Sequence, residues 1–139
     1  LQAVYNTNIK GDMFEYSYLA SPALRALEGH LKYIYKANSI SLEKEPVGSI
    51  FYKDGNRNYM KAEYKSKFRE SAEIDYVENA YNYYNAQRHS LFHWGDIECE
   101  SDIDVTRIIE NYGQAINLIN DTLKLIDEYY LIVNTSLVC

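Results

Sequence analysis

The chain has 139 residues, 47% of them hydrophobic and 24% charged, and a formal net charge of −6. That length supports one domain with a core of its own, and the acidic total excludes a protein that coats nucleic acid through a broad basic surface. Basic residues nonetheless gather at Lys61, Lys65, Lys67 and Arg69, and acidic ones at Glu98, Glu100, Asp102 and Asp104, so an enzyme touching one or two phosphates stays open.

In chain order, the first twenty residues carry Met13, Phe14, Tyr16, Tyr18 and Leu19 too densely for a clean period. Ser21-Pro22 reads as a helix start, with Ser as the N-cap and Pro at the first helical position. The helix then runs to about Lys36, with Leu24, Leu27, Leu31 and Ile34 on one stripe. Pro46, Gly48 and the turn signal Asp54-Gly55-Asn56 make residues 38–60 a loop with a short hairpin. A basic helix is expected over roughly 60–70. The next helix spans about Ser71 to Trp94, turns Ile74, Val77, Ala80, Tyr81, Tyr84 and Leu91 to the core, and stops before Gly95.

After an acidic connection, Ser101-Asp102-Ile103-Asp104 resembles a capping signal. The last helix, about 103–133, repeats Val105, Ile108, Ile109, Tyr112, Ile116, Ile119, Leu123 and Ile126. The expected fold is all-α, a bundle of four to six helices with a short hairpin or loop insertion near 45–60. It forms one domain over 1–139, and Leu1 in place of Met points to a piece excised from a longer chain. Fifteen tyrosines fit half-buried seams, with an apolar body and a polar tip, better than a row of base-stacking rings.

No apolar run approaches the ~20 residues that span a bilayer, so no membrane partner is expected. The sparse cysteines, Cys99 and Cys139, fit a reducing cytoplasm and are not placed in catalysis. Their spacing relative to histidine supports no metal site.

The stretch richest in chemistry is Arg88-His89-Ser90-Leu91-Phe92-His93. It puts a guanidinium and an imidazole five positions apart, within reach of one another at the end of a helix. An Arg that grips phosphate in a fork beside a His that moves protons near neutrality suits RNA cleavage. On the earlier helix, Glu28 lies between Leu24, Leu27 and Leu31, so its carboxylate lies near the core and needs a partner, with Arg88 and His93 as the candidates. Without more, Arg88–Glu28 reads as a structural ion pair, His93 beside Trp94 as a satisfied helix-end histidine, and His30 as a surface or interface residue.

The same six residues resemble the R-polar-x3-to-5-H motif of HEPN domains, which are all-α ribonuclease domains. Tyr81-Asn82-Tyr83-Tyr84-Asn85 is typical of the helix before that motif. Arg25-Ala26-Leu27-Glu28-Gly29-His30-Leu31-Lys32-Tyr33, followed sixty residues on by the motif, is similar to the C-terminal domain of the RNase LS toxins (RnlA type). The resemblance covers roughly residues 15–133. It implies an endoribonuclease of toxin–antitoxin or phage-defence systems that uses no metal or other cofactor. Arg88 and His93 are then the catalytic pair and Glu28 an acidic residue of the same site. Arg25, His89 and Lys65 are the candidates for substrate contact.

The implied chemistry is attack of a ribose 2′-hydroxyl on the adjacent phosphate, leaving a 2′,3′-cyclic phosphate and a 5′-hydroxyl. It needs a base, an acid and positive charge on the phosphorane. Two copies of His93 across a homodimer with a composite site would supply base and acid, with Tyr84 and Trp94 near the seam. His89 is the second imidazole if one subunit suffices. The implied partners are mRNA and a protein antitoxin. The alternative is a HEPN-type module that has lost activity and serves dimerisation or partner binding.

Overall fold

In the computed structural model, the structure describes residues 17–92 and 112–137, with side chains over 18–88 and 112–134. Four helices and one hairpin make up these residues: α1 (Ser17–Ala37), a 3-10 turn (Val47–Ile50), β1 (Phe51–Asp54), β2 (Arg57–Met60), α2 (Ala62–Lys65), α3 (Ser71–Phe92) and α4 (Tyr112–Leu137). The all-α class expected from the sequence is correct, and the hairpin falls inside the anticipated insertion. Among the described residues no helix is long and apolar enough to cross a membrane.

Helix α1 already runs at Ser17, so Ser21 is not its cap and Pro22 lies inside it. An interior proline forfeits a backbone hydrogen bond at a cost of about 3 kcal/mol. Burial offsets this, because Leu19, Ala20, Ala23 and Leu24 pack against Ala115, Leu118 and Ile119 of α4, and each leucine so buried contributes roughly 1.5–3 kcal/mol. One turn further on, Leu27, Leu31 and Ile34 enter the larger core with Val77, Ala80, Tyr76 and Tyr84 of α3. The end of α1 is a Schellman closure. Ile40 N–H bonds the Tyr35 carbonyl at 2.9 Å and Ser39 N–H bonds Lys36 at 3.1 Å. Ser39 occupies the left-handed position, φ 59°, that glycine usually takes.

The antiparallel hairpin pairs Phe51 with Met60 and Asp54 with Arg57. Its two-residue turn starts at Gly55, φ 60°, the first central position of a type II′ turn, which matches the twist of the strands. The inner face is pinned to α3. Phe51 stacks on Tyr81 at 4.2 Å and 6°, and Met60 N–H donates to Glu78 at 2.9 Å. Gly48 lies so close to the Tyr81 phenol that a Cβ would collide with it.

The expected basic helix over 60–70 is only the four residues Ala62–Lys65. Phe68 then turns into the core, and Lys65 reaches Glu78 at 3.3 Å, so local tertiary contacts interrupt the helix. In α4 the buried stripe is Ala115, Leu118, Ile119, Thr122 and Tyr129. Leu123, expected on that stripe, is 38% exposed. The part of the last helix expected over 103–111, with Val105, Ile108 and Ile109, and the core position Leu91, lie outside the described residues or side chains.

His30 is not a surface residue. It is 8% exposed, boxed by Tyr76, Tyr129 and Tyr130 at ring distances of 6.3, 5.2 and 5.8 Å. Its Nε2 is buried with no hydrogen-bond partner among the described residues. Burial holds its pKa below the ordinary 6.5, so the folded chain keeps it neutral while the unfolded chain protonates it below that value. The unfolded state therefore binds more protons, and stability is lost as the pH falls below 6.5. Thermal midpoints measured between about pH 7.5 and 5 should decline, and His30→Phe should flatten part of that decline. Parallel slopes for the two proteins would refute the assignment.

Candidate functional site

Where α1 crosses α3, a groove of about 460 Å3 is lined by Ser21, Leu24, Arg25, Glu28, Gly29, Lys32, Tyr84 and Arg88. The crossing follows from the two stripes. Leu24, Leu27 and Leu31 bury one side of α1, and the next positions around the helix, 25, 28 and 32, fall at its edge. Tyr84 and Arg88, four apart on α3, meet that edge from the other side. Three cationic side chains, Arg25, Lys32 and Arg88, thus share one groove with a single carboxylate.

Glu28 is the hub. Its Oε1 accepts from Lys32 Nζ at 2.6 Å and its Oε2 accepts from the Tyr84 hydroxyl at 2.9 Å. The side chain is 31% exposed. The Lys32 hydrogen bond holds its carboxyl below the ordinary value of 4.5 in spite of partial burial, helped by the Tyr84 hydroxyl and by the charges of Lys32 and Arg88. The Tyr84 phenol is pushed the other way, to about 12, first by burial and then by its bond to Glu28. Near neutrality the groove therefore holds an ionised carboxylate, a neutral phenol and fixed positive charge. Such a carboxylate is a poor proton acceptor and a good anchor for cations.

Of the residues expected at the site, Arg88, Glu28 and Arg25 come together in this groove. The partners of Glu28 are Lys32 and Tyr84, and Arg88 acts on it through its charge. Lys32 was not anticipated, although its position four residues after Glu28 is the standard spacing of a helical ion pair. Tyr84, expected near a subunit seam, is buried within the chain's own core. Lys65 lies elsewhere, on the hairpin side, paired with Glu78. His93 and Trp94 lie outside the described residues, as does the side chain of His89.

The sequence of residues 1–95 matches the family described as RNase LS, bacterial toxin DBD domain. The chain belongs to that family. It is also 25% identical over 122 residues to the mRNA endoribonuclease toxin LS of Escherichia coli strain K12, a match covering 87% of this chain and 32% of that protein. The fold is shared with the crystal structure of Escherichia coli toxin LsoA in complex with T4 phage antitoxin Dmd, at a TM-score of 0.74 and 21% identity. That match covers 94% of this chain and 49% of the toxin chain. The chain therefore spans about a third of the length of the curated toxin and half of the solved one. The family match covers α1, the hairpin and α3, and its sequence range also takes in His93.

Proposed function

We propose that this chain is the catalytic domain of a HEPN-type, metal-independent endoribonuclease toxin, acting on mRNA in the cytoplasm as a homodimer and restrained by a protein antitoxin. The observation that carries the reading is the convergence of Arg25, Lys32 and Arg88 on one groove, organised by the ionised Glu28. In a chain of net charge −6, three cations around one carboxylate leave a local excess of positive charge suited to a phosphodiester. The similarity to an mRNA endoribonuclease toxin and to a toxin bound by a phage antitoxin points the same way.

In this reading Arg88 binds the non-bridging oxygens and stabilises the charge that grows on the phosphorane as the 2′-hydroxyl attacks. Arg25 and Lys32 hold the neighbouring phosphate, and Glu28 fixes the cations. His93, five residues beyond Arg88, moves the protons: one imidazole takes the 2′-hydroxyl proton and another protonates the leaving 5′-oxygen. His89 fills the polar slot of the motif and contacts substrate. The remote position of Lys65 and its ion pair with Glu78 leave it only a peripheral role in holding long RNA.

The deciding experiment is incubation of the purified chain with mRNA in excess EDTA. Fragments ending in 2′,3′-cyclic phosphate are expected. Intact RNA, together with tight binding of a protein antitoxin, would instead favour the non-catalytic partner-binding reading. Glu28→Gln supplies a finer check. The Glu28–Lys32 pair is half-exposed and i,i+4, worth about 0.3–0.5 kcal/mol, and Gln still accepts from Tyr84. Activity is therefore expected to fall roughly tenfold with a thermal midpoint nearly unchanged. A large loss of stability with normal specific activity in the folded fraction would assign Glu28 to structure alone.

A further inference from the structure

The outer face of the hairpin carries a cross-strand pair of tyrosines. Tyr52 and Tyr59 sit opposite each other across the strands, rings 6.0 Å apart and tilted by 33°. The Arg57 guanidinium lies 5.8 Å over the Tyr59 ring. Tyr52 is 50% exposed, so the core gains little from it. Beside the pair, a notch of about 560 Å3 opens between the hairpin and α3, walled by Asn56, Asn58, Asn82 and Asn85.

Its walls are held in place. Asn82 Oδ1 accepts from both the backbone N–H and the side-chain amide of Asn58, at 2.8 and 3.1 Å. Asn82 Nδ2 donates to the carbonyls of Asn58 and Glu78. Arg57 is anchored by donating to Asn79. Paired phenols, a guanidinium over a ring and fixed amides suit an unpaired nucleobase. The rings meet its face and the amides of Asn56, Asn58 and Asn85 its hydrogen-bonding edge, since Asn82 spends its donors and acceptor on Asn58 and Glu78. Exposed Tyr and Arg also suit a protein interface, but rigid amides beside the rings favour a base.

The notch and the cationic groove share α3: Asn82, Asn85 and Ala86 line the notch, while Tyr84 and Arg88, on the same two turns but another face of the helix, line the groove.

Resting on the ribonuclease reading above, we propose that the Tyr52–Tyr59 pair and the asparagine notch form a base-binding subsite for a nucleotide of the same single-stranded RNA whose phosphate is held at Arg88 on another face of α3, and that this subsite gives the chain a base preference.

The test uses the full chain and short single-stranded oligonucleotides with 2′-O-methyl sugars, which cannot undergo 2′-hydroxyl attack. Their binding is followed by fluorescence anisotropy and compared with abasic oligonucleotides of the same length. The base-containing strands are expected to bind roughly tenfold tighter, and Tyr52→Ala should abolish that advantage. Asn85→Ala should change the order of affinity among the four homo-oligomers. Equal binding of abasic and normal strands, or an unchanged base preference in both variants, overturns the proposal. So does a Tyr52→Ala chain that loses affinity for a protein antitoxin while binding RNA as before. Because the readout is binding, failure of the wild-type chain to cut RNA would count against the ribonuclease reading and leave the subsite to be decided by these measurements.

Discussion

Arg88→Lys is expected to lower RNA cleavage by about a hundredfold while the thermal midpoint moves by no more than a few degrees. Arg88 is exposed at the rim of the groove, so its replacement opens no cavity. Lys keeps the charge but offers a single ammonium where a planar fork would span two phosphate oxygens. His93→Ala should be at least as damaging, since no other group in the motif takes up protons near neutrality with the same placement. Cleavage rates on a defined mRNA, with circular dichroism as the check on folding, decide both. Near-normal rates in Arg88→Lys would reduce that residue to a local charge, and near-normal rates in His93→Ala would remove the histidine from the chemistry.

The pattern of the sequence carried the helical class and the position of the hairpin, because both are written locally. Leu24, Leu27, Leu31 and Ile34 repeat at helical spacing and are buried, and Gly55 starts the turn where the chain needs a positive φ. Pro22 misled because proline is a strong local signal, yet the burial of Leu19 and Ala20 against α4 carries the helix through it. At the site, the placement of Glu28 in an apolar stripe correctly demanded a partner. The partner's identity was hidden: a lysine four residues on looks like a solvated pair, and a tyrosine looks like packing until its hydroxyl is located. His30 shows the same limit, since its aromatic box is assembled from α3 and α4, and nothing beside it in sequence announces either. The Lys65–Glu78 pair was equally illegible, because it joins a short helix to α3 across the base of the hairpin.

The largest effect of a variant on its neighbour is expected in a mixing experiment. One subunit supplies one His93, whereas transesterification needs a base and an acid at once. A homodimer in which the two α3 helices line a shared cleft would provide both by symmetry, each subunit offering the same patch to the other. Among the described residues, the groove contains three cationic side chains, a carboxylate whose pKa is lowered and a phenol whose pKa is raised to about 12, and His93 lies outside them. If two copies of His93 are needed, a ninefold excess of His93→Ala subunits leaves about a hundredth of the dimers wild type, against about a tenth of the subunits. After unfolding and joint refolding to randomise the pairs, activity per total protein should follow the smaller figure. Activity in proportion to the wild-type subunits, or a monomer cutting at full rate, would show that one chain holds the whole proton-transfer machinery, and His89 would then be the residue to replace.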